Sequence, residues 1–184
     1  MRLRRLEEEL RGAIRLDWRA FLLRPTPGAI PRDLAKFREY TKKWMTPAAD
    51  ADAPEFRVWQ TEEGPPSHSV PPHLVAKAAA ELGDDAFHAV HERILRAYFA
   101  ENRDISRPEV LFELWRECGL DEAAFRRAGD RDLLDRVIAE HNEAVELGVN
   151  GVPAVRIEGN DAAAVGAQPV EVYRRWFEKM LAAR

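Results

Sequence analysis

Few side chains in this sequence have both the type and the spacing to do chemistry. The one thiol is Cys118, and a single cysteine excludes an intrachain disulfide and any Cys-rich zinc site. Without a partner it reads as a small, partly buried apolar residue. His88 and His91 lie three apart with Glu92 beside them, a spacing that could put two imidazoles on one helix face. No third ligand lies near in the chain, so the pair reads as a solvated or core-edge feature and no metal site is expected. His68, His73 and His141 are scattered, with no triad cue, and each reads as structural. No G-x-G-x-x-G or P-loop signature occurs, so nucleotide binding has no support. What remains is a backbone feature. Gly148-Val149-Asn150-Gly151-Val152-Pro153 ends a helical pattern with glycines and leads straight into Ala154-Val155-Arg156-Ile157. Proline at a strand entrance removes a ladder donor, which is tolerated where that donor matters little or where a cis bond shapes the loop.

The elements that must position this feature follow from hydrophobic period. Leu3, Leu6 and Leu10 repeat at helical spacing over residues 1–11, a pattern without an N-cap or approach segment. After Gly12 the period becomes two: Ile14, Leu16, Trp18 and Ala20 alternate with Arg15, Asp17 and Arg19, which predicts a half-buried strand running into Phe21-Leu22-Leu23. Pro25 and Pro27 end it. A modest helical pattern covers 32–45, loops are expected at 46–54 and 61–72, and Phe56 to Trp59 reads as a short extended piece. Helices are expected over about 72–82, 85–101, 106–119, 121–128 and 130–147, the third opened by the capping-box form Ser106-Arg107-Pro108-Glu109. Residues 154–157 and 162–165 read as two short strands joined by turn chemistry at Glu158-Gly159-Asn160-Asp161. An amphipathic helix then runs from Gln168 through Val172, Trp176, Phe177 and Met180. Trp18, Phe21, Trp59, Trp115 and Trp176 are most simply core.

The chain of 184 residues fits one domain, or a small core carrying a subdomain. Its balance of 46% apolar and 33% charged residues is that of a soluble globular protein. The net charge of −4, with acids and bases interleaved, argues against a nucleic-acid partner. Basic residues at the amino terminus are followed by acids rather than by the apolar stretch of a signal peptide. No run approaches the roughly 18 apolar residues of a membrane span. A cytoplasmic protein with no membrane partner is expected.

The segment 148–159 resembles the G-V-x-G-V-P-x-x-x-I-x-G element of DsbA-family thioredoxin-fold proteins, in which the proline is cis and faces a redox dithiol. Val165-Gly166-Ala167-Gln168-Pro169 resembles that family's G-A-Q-P before its last helix. Leu95-Arg96-Ala97-Tyr98-Phe99 and Asp104-Ile105-Ser106-Arg107-Pro108-Glu109-Val110-Leu111 resemble the helical insertion of its FrnE-like branch, and Cys118-Gly119-Leu120-Asp121 the end of that insertion. Trp18-Arg19-Ala20-Phe21-Leu22-Leu23-Arg24-Pro25 looks like the second core strand. Together these pieces cover nearly the whole chain, and their order and spacing carry the likeness.

The resemblance implies an α/β, thioredoxin-like fold (first core strand missing) with an inserted all-helical domain. Residues 1–31 and 130–184 would form the core and residues 32–129 the insertion. It also implies that Gly151, Val152 and Pro153 bind substrate, a thiol- or disulfide-bearing protein or small molecule, through main-chain hydrogen bonds. Such proteins carry a C-P-W-C-like motif whose lead cysteine is a thiolate at a helix N-terminus. Residues 1–11 match the later part of that helix, so the first strand and both cysteines are expected before Met1. Cys118 does not replace them. Within these residues no catalytic group and no cofactor is therefore expected, and no dithiol activity. Two other functions remain open: a glutathione-dependent relative of kappa-type transferases and 2-hydroxychromene-2-carboxylate isomerases, and a non-catalytic peptide-binding or chaperone-like protein. A missing first strand would leave two sheet edges unpaired, which folded proteins avoid. The gap is expected to be closed by a partner chain, with a homodimer among the arrangements open to it, by strand movement, or left as a defect.

Overall fold

A computed structural model describes residues 2–28, 32–49, 53–160 and 162–182. Met1, the part of the expected 46–54 loop at 50–52, and Asp161 of the expected turn lie outside the described residues. The chain divides into two compact units, one of residues 1–19 with 143–184 and one of residues 20–142.

The smaller unit contains α1 (Arg2–Glu9), the hairpin strands β1 (Ala154–Arg156) and β2 (Ala163–Val165), and α8 (Val170–Ala182). Its core joins Leu6, Val155, Tyr173 and Phe177, with Leu3, Leu10, Ile14 and Trp176 packed around them. The leucine spacing of the amino-terminal segment thus finds its partner in the apolar stripe of α8. Arg174 of α8 also pairs with Glu9 at 2.5 Å, and its guanidinium, followed by that of Arg5, holds the Glu9 carboxyl below the usual carboxylate range.

The larger unit is helical: α2 (Leu34–Thr41), a 3-10 turn at Lys42–Trp44, α3 (Met45–Ala48), α4 (Val70–Ala80), α5 (Asp84–Phe99), α6 (Pro108–Glu117) and a 3-10 stretch at Glu122–Gly129. The next helix, α7 (Arg131–Glu146), begins in it, and the boundary between the units falls after Asn142. Ala76, Ala78 and Ala79 are buried on α4, and the small side chains let α5 approach closely. The main core gathers Val75, Val90, Ile94, Leu111, Leu114, Trp115 and Leu133. Trp115 is fully buried, and its indole N–H donates to the Asp121 carbonyl at 2.9 Å, so the chain leaving α6 is bonded back to it. Truncating such a side chain to alanine costs about 3–5 kcal/mol. A second cluster of Phe37, Trp44, Trp59, Phe56, Tyr98 and Phe99 packs edge to face. It holds the extended piece 56–60, whose amides go to the Phe99 carbonyl, Thr41 Oγ1 and Asn102 Oδ1.

Three expectations need correction. Residues 14–23 form no ladder among the described residues, and Ile14 makes only an isolated bridge to Arg11. The burial nevertheless alternates as the sequence predicts, with Ala20 and Leu22 buried and Arg15, Asp17 and Arg19 exposed. A strand needs a partner, and here side chains supply the acceptors instead. Leu16 N–H donates to Glu7 Oε1 at 2.6 Å, Ala20 N–H to Glu140 Oε2 at 2.7 Å, Leu22 N–H to His141 Nδ1 at 3.2 Å, and Arg24 N–H to Ser69 Oγ at 3.1 Å. The second correction is that helix α3 occupies the start of the expected 46–54 loop. Third, Ser106 does not cap α6. Its hydroxyl donates to Asp104 and accepts from the Ser67 amide, and Arg107 stands at the N-cap.

Glu140 is 5% exposed, and Lys77 meets its carboxylate at 2.7 Å from a similarly buried position. Replacing Lys77 by methionine leaves that carboxylate with the Ala20 amide and the half-exposed Arg136. Urea unfolding followed by tryptophan fluorescence should then show a loss of about 3–5 kcal/mol. His73 gives a pH signature. Burial lowers its imidazole below the ordinary 6.5, against the opposing bond to the Phe21 carbonyl. The folded-state value is the depressed one, so the unfolded chain takes the proton first as pH falls. The His73 contribution is complete above pH 6.5 and is lost as pH drops below it. Urea midpoints measured across that range should fall with pH, and less steeply in His73→Gln.

Candidate functional site

The cis-proline loop is built by the end of α7 and the hairpin that follows. Gly148, at φ +78°, closes α7, and Val149 N–H returns to the Ala144 carbonyl at 2.9 Å. The Val152–Pro153 peptide bond is cis. Pro153 has no N–H to give, so the hairpin takes its carbonyl, which accepts the Gly166 amide at 2.8 Å. The register continues as Ala154–Val165, Val155–Ala164 and Arg156–Ala163, antiparallel. Val155 points into the core beside Leu6, Tyr173 and Phe177. Pairs in an antiparallel ladder alternate in the direction of their main-chain groups, so those of Ala154 face away from β2.

Beyond β2, the chain is fastened from below by Tyr173. Its buried phenol donates to the Gly166 carbonyl at 3.2 Å and accepts from the Gln168 amide at 3.4 Å. Gln168 Nε2 donates to the Val165 carbonyl at 3.2 Å, and Arg2 donates to the Gln168 carbonyl at 3.1 Å. What this framework presents outward is Gly151, half-buried, followed by exposed Val152 and Pro153. The three residues expected to bind substrate are therefore adjacent and accessible, at the mouth of a braced hairpin. Tyr173 was not singled out by the sequence, because a tyrosine at helical spacing reads only as core.

The other candidates do different work. Cys118 is half-buried at the C-cap of α6, packed against the main core. Burial pushes its thiol above the ordinary value, Glu117 adds to that, and Arg93 opposes it. A protonated thiol is a poor nucleophile. His91 stacks on Phe87 with centroids 5.2 Å apart. Among the described residues no cluster of His, Cys, Asp and Glu could hold a metal ion. His73 and His141 are backbone anchors for residues 21 and 22, a role that sequence spacing does not reveal.

The family model of the DSBA-like thioredoxin domain matches residues 1–177. The chain belongs to that family. An uncharacterized Bacillus subtilis (strain 168) protein, YwbO, is 26% identical over 137 residues, 66% of this chain and 60% of that protein. Two solved structures share the fold. A Nitrosomonas europaea protein provisionally named a protein disulfide isomerase superposes with a TM-score of 0.80 at 17% identity, covering 100% of this chain and 89% of its own. The cytosolic disulfide reductase DsbM of Pseudomonas aeruginosa gives 0.73 at 22% identity, covering 100% and 91%. This member of the DSBA-like family thus has the expected thioredoxin-like α/β fold, dominated by helix and with a small sheet.

Alkylation of Cys118 by iodoacetamide near neutral pH should be at least about fivefold slower than that of free cysteine. Unfolding in urea should abolish the difference. A native rate equal to that of free cysteine would contradict the burial described for this thiol.

Proposed function

We propose that this chain is a DsbA/FrnE-like thiol–disulfide oxidoreductase family protein that docks substrate at its cis-proline loop, and that these 184 residues by themselves perform no dithiol exchange. The observation that carries this reading is the half-buried Gly151 and exposed Val152 directly before the cis proline, on a hairpin braced by Tyr173. An extended substrate segment docks there by strand-like hydrogen bonding, and the exposed Val152 side chain adds apolar contact. The redox half of the proposal rests on electron counting. Reducing a disulfide takes two electrons and two thiols, one to attack and one to release the mixed disulfide. The sequence holds one cysteine, and that one is half-buried and protonated.

The FrnE-like assignment draws on the helical residues 32–129, read as an insertion between the parts of a thioredoxin-like core. The substrate class is a thiol- or disulfide-bearing protein or small molecule. A cytoplasmic setting fits the same reading, as does a homodimer that covers an unpaired sheet edge.

Two measurements on the 184-residue chain test the two halves. In an insulin-reduction assay with a thiol reductant, the rate should equal that of reductant in buffer; clear turnover would defeat the redox half. Titration of isotope-labelled protein with an extended, thiol-blocked peptide should move the amide signals of Gly151, Val152 and Ala154. Shifts confined to other residues would defeat the docking half.

A further inference from the structure

Most arginines of the larger unit stand against carboxylates. Arg93 meets Glu101 and Glu117, Arg103 meets Glu113 and Glu117, and Arg127 meets Glu81, Asp130 and Asp132. Arg24 and Arg32 differ. Both are half-buried, and neither forms an ion pair among the described residues. They line one cavity of about 290 Å³ together with Gly28, Gly64, Ser67 and Asp104.

Each guanidinium is held in place by uncharged groups. Arg24 Nε donates to the Ser67 carbonyl at 3.1 Å, while the Arg24 main chain exchanges hydrogen bonds with Ser69. Its terminal nitrogens have no bonded partner among the described residues. Arg32 lies over the Phe37 ring at 4.2 Å, and the neighbouring Tyr98 acts on its guanidinium electrostatically. Burial draws the Arg32 guanidinium below the ordinary arginine range, and the nearby Arg24 charge acts in the same direction. Burying two like charges side by side is costly, and a bound anion would offset that cost. Asp104 does not neutralise them. Its Oδ1 accepts both the amide and the hydroxyl of Ser106, at 2.9 and 2.6 Å, and it pairs with neither arginine. The lining therefore holds two guanidiniums against one carboxylate. Two of the lining residues, Gly28 and Gly64, are glycines and bring no side chains into the space.

We propose that this cavity is a binding site for a small oxyanion, a phosphate or carboxylate group held in the fork between Arg24 and Arg32. Planar guanidiniums present paired N–H donors that match both groups. The volume lies at the small end of ligand pockets, which suits a compact metabolite. The site lies wholly within the larger unit and uses none of Gly151, Val152 or Pro153.

The test is an NMR titration of the isotope-labelled full chain at low ionic strength, with inorganic phosphate in one arm and succinate in the other. Saturable shifts are expected at the Gly64 and Ser67 amides and at the Arg24 and Arg32 side-chain N–H signals. The arm that binds more tightly identifies the source of the oxyanion. Arg32→Gln should weaken binding by at least about tenfold, while Arg32→Lys, which keeps the charge but not the fork, should fall between it and the parent. Circular dichroism checks the fold of each variant, and the shifts in the unaltered chain stand whether or not a variant folds. Absence of saturable shifts in both arms would overturn the proposal. So would shifts centred on other residues, or equal affinity in a folded Arg32→Gln variant.

Discussion

The carboxylate of Glu140 is where the larger unit meets its hardest physical demand. Ala20 is 1% exposed, so its amide must find an acceptor inside the protein. Glu140 Oε2 provides it at 2.7 Å, and the charge so buried is balanced by Lys77 on the other oxygen. The carboxylate thus does two jobs that a strand and a solvent shell would otherwise share. A neutral acceptor would satisfy the amide but leave Lys77 buried without its countercharge, and an apolar residue would satisfy neither. His141 one residue on takes the Leu22 amide, and His73 of α4 bonds the Phe21 carbonyl. Together they fix an extended segment by side chains from two helices.

This arrangement explains why the period-two pattern was legible while the strand was not. Alternation reports which side chains face an apolar environment, and that is a property of the extended backbone alone. Whether such a segment joins a sheet depends on what lies beside it, and beside Ala20 and Leu22 that is a helix bearing acceptors. Residues 14–23 show the first without the second. The hairpin at 154–165 is legible in full because its partners are close in sequence and turn chemistry fixes the register. The helices α4 to α7 are legible for the same local reason, since periodic apolar residues and punctuating glycines and prolines mark them. Ser106 is the counterexample: its position matched a cap, but Asp104 two residues earlier and Ser67 far away competed for the hydroxyl.

The candidate site divides in the same way. Gly151, Val152 and Pro153 are contiguous, so a sequence can point to them. Their bracing is not contiguous: it runs through Tyr173, Gly166 and Gln168, and back to Arg2 at the other end of the chain. The Arg24–Arg32 pair was hidden for a related reason. An arginine in a sequence carries no mark of whether a carboxylate will meet it, and only the folded chain reveals two that line one cavity without an ion pair among the described residues.

The position of Cys118 is the opposite of the one that activates a thiol. A reactive lead cysteine gains its thiolate at a helix N-terminus, where unsatisfied amides and the positive end of the dipole favour negative charge. Cys118 stands at the opposite pole, at the C-terminal end of α6, where carbonyls disfavour an anion. Burial and the neighbouring Glu117 act in the same direction, and Arg93 is already shared between Glu101 and Glu117. The proposed docking role has no such requirement. It calls for main-chain groups held in a fixed geometry, and the hydrogen bonds from Tyr173 to Gly166 and from Gly166 to Pro153 hold the hairpin without sulfur. The proposed docking and the thiol chemistry therefore make different physical demands, because one depends on backbone geometry and the other on a thiolate stabilised at a particular helix end.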